Sequence, residues 1–203
     1  MKHRARIGVL WLSAGVLLPQ SASAHLVGVE LGAFYSGSLH VLYGVEYLAV
    51  LMGMVLLCAL HPKTTAGLSF VVAPVGAAIG CALSLLLGGG SDGLLMVFAL
   101  AGLIGVFCAL ALPLPRAAFA ATSMLGGMAL GYSNAQALNG STLDAMLYTT
   151  GVVAAVLVTL SLAAAVGTWL REQHDGATLV YRVLGSWIAA FGCISLALGI
   201  ATA

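Results

Sequence analysis

Four side chains near the start of this chain have the types needed to hold an ion: His25, Glu30, His40 and Glu46. They sit in a stretch running from His25 through Phe34-Tyr35-Ser36-Gly37 to His40-Val-Leu-Tyr43-Gly44-Val-Glu46-Tyr47, where the polar residues of an apolar chain are concentrated. Ionisable groups at membrane depth cost a few kcal/mol each, which makes them functional candidates by default. On one continuous helix His40, Gly44, Tyr47, Leu51, Met54 and Cys58 share a narrow stripe. Imidazole, thioether and thiolate suit late divalent metals or copper. Glu46 would point about 120° away from His40 on such a helix. The two can meet one ion only if Gly44 breaks the helix or another span brings a third group. The competing readings are a hydrogen-bonded structural pair for His40 with Glu46, and interface packing for Met54 and Cys58.

Other chemistries find less support. Cys58, Cys81, Cys108 and Cys193 lie singly inside apolar runs, without a CxxC pair. That argues against a zinc or thioredoxin-like site and for small buried hydrophobes. Ser36-Gly37 with His40, or Ser123 in a glycine-rich span, invites a protease reading. A nucleophile needs a base held within hydrogen-bond reach. His61 and His174 fall in polar connections between spans, so the expectation is a protein that is not an enzyme. Asn139-Gly140-Ser141 has the form of a glycosylation acceptor and reads as an ordinary turn.

The elements that must position these groups follow from composition. Of 203 residues, 62% are hydrophobic and 6% charged, with a mean hydropathy of +1.12. Soluble chains have about 45–50% apolar and about 25% charged residues. The expected class is an all-α integral membrane protein embedded in a lipid bilayer. Seven scattered basic residues make no stripe for nucleic acid. The 26 glycines fit closely packed transmembrane helices.

Lys2, Arg4 and Arg6, the apolar run 7–18 and Ala22-Ser23-Ala24 predict a signal peptide over 1–24. Cleavage would make His25 the mature N-terminus and leave four basic and six acidic residues, a formal net charge of −2. A single domain over 25–203 then follows, with six spans near 41–60, 66–88, 93–112, 116–133, 143–170 and 180–202. Lys63, Arg116, Arg171 and Arg182 fall in the first, third and fifth connections, and Asp92 and Asp144 on the other side. By the positive-inside rule both mature termini face out, into the periplasm of a bacterial inner membrane.

Phe34, Gly37, His40, Gly44, Glu46 and Leu48 match the spacing of Phe-x-x-Gly-x-x-His-Pro-x-x-Gly-x-Asp-His-Leu. In this the chain resembles the HupE/UreJ family, hydrogenase- and urease-associated membrane proteins regarded as nickel permeases with a cleaved signal and six spans. Val41 replaces the motif's proline, Glu46 its aspartate and Tyr47 its second histidine. A second family motif, Phe-His-Gly-x-Ala-His-Gly-x-Glu, aligns with Leu125–Ser133, where Gly127, Ala129 and Gly131 match and the histidines and glutamate are missing.

The resemblance implies a nickel-type permease or metal-handling membrane protein, with cobalt and copper as chemically close ions. His40 and Glu46 would be the ligands, and His25 would capture metal through its amine and imidazole. The alternative is a non-transporting accessory subunit that kept the fold and lost the ion path, with Met128, Leu130 and Ser133 as packing residues. Hydrogenase, urease or another metalloenzyme under maturation would be the partner in either case.

Overall fold

The computed structural model describes residues 24–88, 92–135 and 141–202, with side chains from Gly32 onward except Asp92. The predicted signal peptide, apart from Ala24, lies outside these residues. Among the described residues there are seven helices and no strand. They are α1 (Ala24–Tyr43), α2 (Val45–Leu60), α3 (Lys63–Leu87), α4 (Asp92–Leu110), α5 (Arg116–Asn134), α6 (Thr142–Gln173) and α7 (Ala177–Ala201).

Four of them, α3, α4, α6 and α7, are long and apolar enough to cross a bilayer, and the bent pair α1–α2 makes a fifth if taken as one span. Helix α5 has a similar length, but Thr122, Ser123, Ser133, Asn134 and its glycines dilute its apolar character. The many large apolar side chains left exposed, among them Leu86, Trp187, Ile194 and Leu198, are what a lipid solvent requires.

The helix ends obey local chemistry. Proline at 62 and 115 precedes α3 and α5, where a missing amide costs nothing. Gly88 ends α3 in the left-handed conformation at φ 73°, which glycine adopts freely. Ser141 and Asp144 form a reciprocal capping box at the start of α6, 3.2 Å and 3.1 Å across its two backbone bonds. Asn139 and Gly140 of the sequon lie outside the described residues.

Three glycine-seated pairs surround a central helix. Helices α3 and α5 run parallel: a Cβ on Gly76 or Gly80 would strike the Met124 or Met128 carbonyl, and one on Gly127 or Gly131 the Ala73 or Ala77 carbonyl. Helices α4 and α7 meet through Gly102, Gly105, Gly185 and Gly192. Helices α1 and α6 meet where Gly37 lies on the Tyr148 carbonyl and Gly151 on that of Phe34. With no water to expel between helices in lipid, such close backbone contact supplies the association energy. Helix α2 touches all six others, and its residues from Val50 to Ala59 are buried apart from Met52.

The connections 61–62, 111–115 and 174–176 gather at one end of the bundle. Lys63 pairs with Glu172 at 2.8 Å, the Leu114 amide donates to His61 Nε2 at 3.1 Å, and Arg182 Nε donates to the Ala109 carbonyl at 3.0 Å. This basic end carries all four Lys and Arg residues that follow residue 23.

Candidate functional site

Two of the predicted ligands, His40 and Glu46, flank an elbow on the opposite end. The expected first span of 41–60 is not one helix: it breaks at Gly44 (φ −73°, ψ 119°), and the flanking segments Gly32–Tyr43 and Val45–Leu60 are bent by 76°. Glycine at 44 lets the following turn fold back over the break. The Tyr47 ring lies against Gly44, and a Cβ there would also come within 3.0 Å of Glu46 Oε1. His40, on the other arm, packs its ring against Tyr47 with centroids 5.6 Å apart. The elbow thus packs His40 against Tyr47 across one glycine, with the Glu46 carboxylate beside that glycine. His40 is exposed and Glu46 half-buried. His25 lies in the first turn of α1, and its side chain is outside the described set. Among the described residues no three His, Cys, Asp or Glu side chains are grouped to hold a metal ion.

The stripe expected below His40 survives only on the α2 arm. There Tyr47, Leu51, Met54 and Cys58 are all buried. The Met54 thioether fills the space over Gly126, 2.8 Å from where a Cβ would stand. Tyr47 Oη shares a hydrogen bond of 3.3 Å with Ser133 Oγ. The two stretches of sequence singled out above therefore touch, through Tyr47 and Ser133. Next to this pair, Tyr148 Oη donates to the Asn134 carbonyl at 3.0 Å and Cys81 Sγ to that of Gly131 at 3.4 Å.

His61 lies in the connection between α2 and α3, as expected, yet it is buried, at 4% exposed. Its Nδ1 bonds the Leu57 carbonyl at 2.8 Å and its Nε2 accepts from Leu114, so the neutral tautomer with hydrogen on Nδ1 satisfies both. With both nitrogens engaged by backbone, His61 has no lone pair for a serine or a metal. Cys193 is exposed on α7, whereas Cys58, Cys81 and Cys108 are buried as expected. All four thiols are free.

The signal for His61 was hidden by its polar neighbours, although Pro113-Leu114-Pro115 offered a hint. Two prolines leave Leu114 as the one amide donor of that tripeptide, and a donor so isolated calls for a side-chain acceptor. A groove of about 490 Å³ between α2 and α7 holds none of the predicted ligands; it is lined by apolar and aromatic side chains such as Leu48, Met52, Trp187 and Phe191. No family model matches the chain, and no curated protein or solved structure is significantly similar to it.

Proposed function

We propose that this is a six-span bacterial inner-membrane protein of the HupE/UreJ kind that handles a nickel-type transition-metal ion at its outer face. The observation that carries the reading is the break at Gly44. It interrupts the helix on which His40 and Glu46 would diverge, and it leaves an imidazole and a carboxylate on either side of one glycine. That donor pair suits nickel and its neighbours. His25, on the far side of the break at Gly32 from the His40 arm, is the further ligand in this proposal. The basic end, with Lys63, Arg116, Arg171 and Arg182, is then cytoplasmic by the positive-inside rule, and the elbow faces the periplasm.

A specific observation favours a second reading, that of an accessory subunit without an ion path. Tyr47 and Ser133 close on each other at 3.3 Å below the elbow, where a path into the bundle would begin. On that reading the partner is a metalloenzyme under maturation.

One experiment separates the two. Purified protein is titrated with nickel, cobalt, copper and zinc, and uptake is measured in cells expressing wild type and Glu46→Gln. A permease loses both binding and uptake in Glu46→Gln at normal expression. A metal-handling subunit binds the ion through His40 and Glu46 yet shows no uptake in the wild type. Wild-type protein that takes up no metal in the titration sinks the elbow as a metal contact.

A further inference from the structure

At the elbow end, α3 and α5 finish side by side with two polar side chains buried in their last turns. Ser84 is 3% exposed and Asn134 fully buried, and among the described residues Ser84 Oγ and Asn134 Oδ1 have no hydrogen-bond partner. Asn134 Nδ2 donates to the Leu130 carbonyl at 2.7 Å, which fixes the amide plane and commits Oδ1 to the opposite side. Ser84 stands three residues beyond Cys81, and Asn134 three residues beyond Gly131, whose carbonyl accepts from Cys81. Because the pair runs parallel, the two free oxygens share one level of the bundle.

Their surroundings are electrically distinctive. Both helices end here, at Leu87 and Asn134, so two C-terminal dipoles point their negative ends to the same side. Tyr148 closes the α6 side by donating to the Asn134 carbonyl, and the Tyr47–Ser133 hydroxyl pair lies next along α5. An unpaired buried oxygen is costly, and two at one level call for a common partner.

We propose that Ser84 and Asn134 form a binding site for an alkali-metal cation, distinct from the elbow and independent of its metal chemistry. The donors named are neutral amide, hydroxyl and carbonyl oxygens, which suit a hard ion rather than nickel or copper. Divalent hard ions take carboxylates as well, and neither of these side chains is one. Helix C-termini together with hydroxyl and carbonyl oxygens are the means by which membrane helices hold sodium. The site ties the outer end of α5 to α3 when loaded.

The test is thermal unfolding of the full-length protein in detergent, at constant ionic strength, in sodium, potassium or N-methyl-glucamine chloride. One alkali ion should raise the midpoint saturably, by on the order of 5 °C over N-methyl-glucamine. Ser84→Ala and Asn134→Leu should abolish that difference, while His40→Ala leaves it intact. If Asn134→Leu yields no folded protein, Ser84→Ala, which removes a single oxygen, decides alone. No difference between the salts in wild type overturns the site, and so does an alkali shift that persists in Ser84→Ala. A Ser84→Ala protein less stable by the same amount in all three salts assigns the two oxygens to a water molecule and likewise rejects the cation.

Discussion

Replacing His61 with alanine should be costly for a polar residue in a connection, because the ring serves three segments at once. The last turn of α2 leaves carbonyls without amide donors, and the His61 amide turns to Cys58 rather than Leu57. The imidazole supplies Leu57 with its missing donor and receives the Leu114 amide. Its face lies on Phe119, fully buried at the start of α5, with centroids 4.9 Å apart. Two hydrogen bonds contribute about 1 kcal/mol each. The ring pair adds about 1 kcal/mol. The sum is about 3 kcal/mol for His61→Ala. His61→Phe keeps the ring contact and should lose about 2 kcal/mol. Reversible unfolding in mixed micelles of dodecyl maltoside and sodium dodecyl sulfate measures both. If His61→Ala lies within about 1 kcal/mol of wild type, or His61→Phe costs more than His61→Ala, the clamp does not hold these segments as described.

Three further outcomes can be measured on the same preparations. Gly127→Leu and Gly131→Leu should each destabilise by about 1–3 kcal/mol or more, since their side chains would start inside the Ala73 and Ala77 carbonyls, whereas Met128→Leu should cost less than about 1.5 kcal/mol; equal unfolding midpoints for all three would contradict the seating of α5 on α3. Ala111 is held at φ 48° in a Schellman turn, its amide on Cys108 and that of Leu112 on Phe107. Ala111→Gly should therefore stabilise by about 0.5–1 kcal/mol, and a loss of stability would show that the turn is not strained. Reporter fusions at Gly88 and at Gln173 should give opposite readouts of membrane side, and matching readouts would remove the proposed topology.

What could be read from the residues alone followed the strength of the local signal. Long apolar runs and the breaks His61-Pro62, Gly88 and Pro113–Pro115 located α3 to α7 to within three residues at each end. The packing role of Gly127 and Gly131 was equally legible, because small residues four apart on an apolar helix have few other uses. The elbow was visible only as a condition. Glycine permits a break at 44 without demanding one, and tertiary packing of Tyr47 decides it. Helix α1 was missed because its polar residues interrupt any apolar run of spanning length. Asn134 was misread for a related reason: as the first polar residue of a separator it looked like loop, yet its side chain folds back onto Leu130 and is buried. The burial of His61 went unsignalled for the same reason. Periodicity registers what a helix turns toward its neighbours, but a polar side chain that satisfies backbone groups leaves no periodic trace.

The central place of α2 also bears on how the protein is made. It leaves the ribosome before every described helix except α1, yet its contacts are completed by α7, which emerges last. At about 5–20 residues per second, the remaining chain takes on the order of ten seconds to follow. Through that interval Ala49, Met52 and Gly53, on the side that meets α7, face lipid or an insertion chaperone rather than protein. A ribosome that stalls before residue 177 therefore releases a chain whose most central helix is still bare on one side, and a membrane protease needs no more than that bare side to tell an unfinished copy from a finished one.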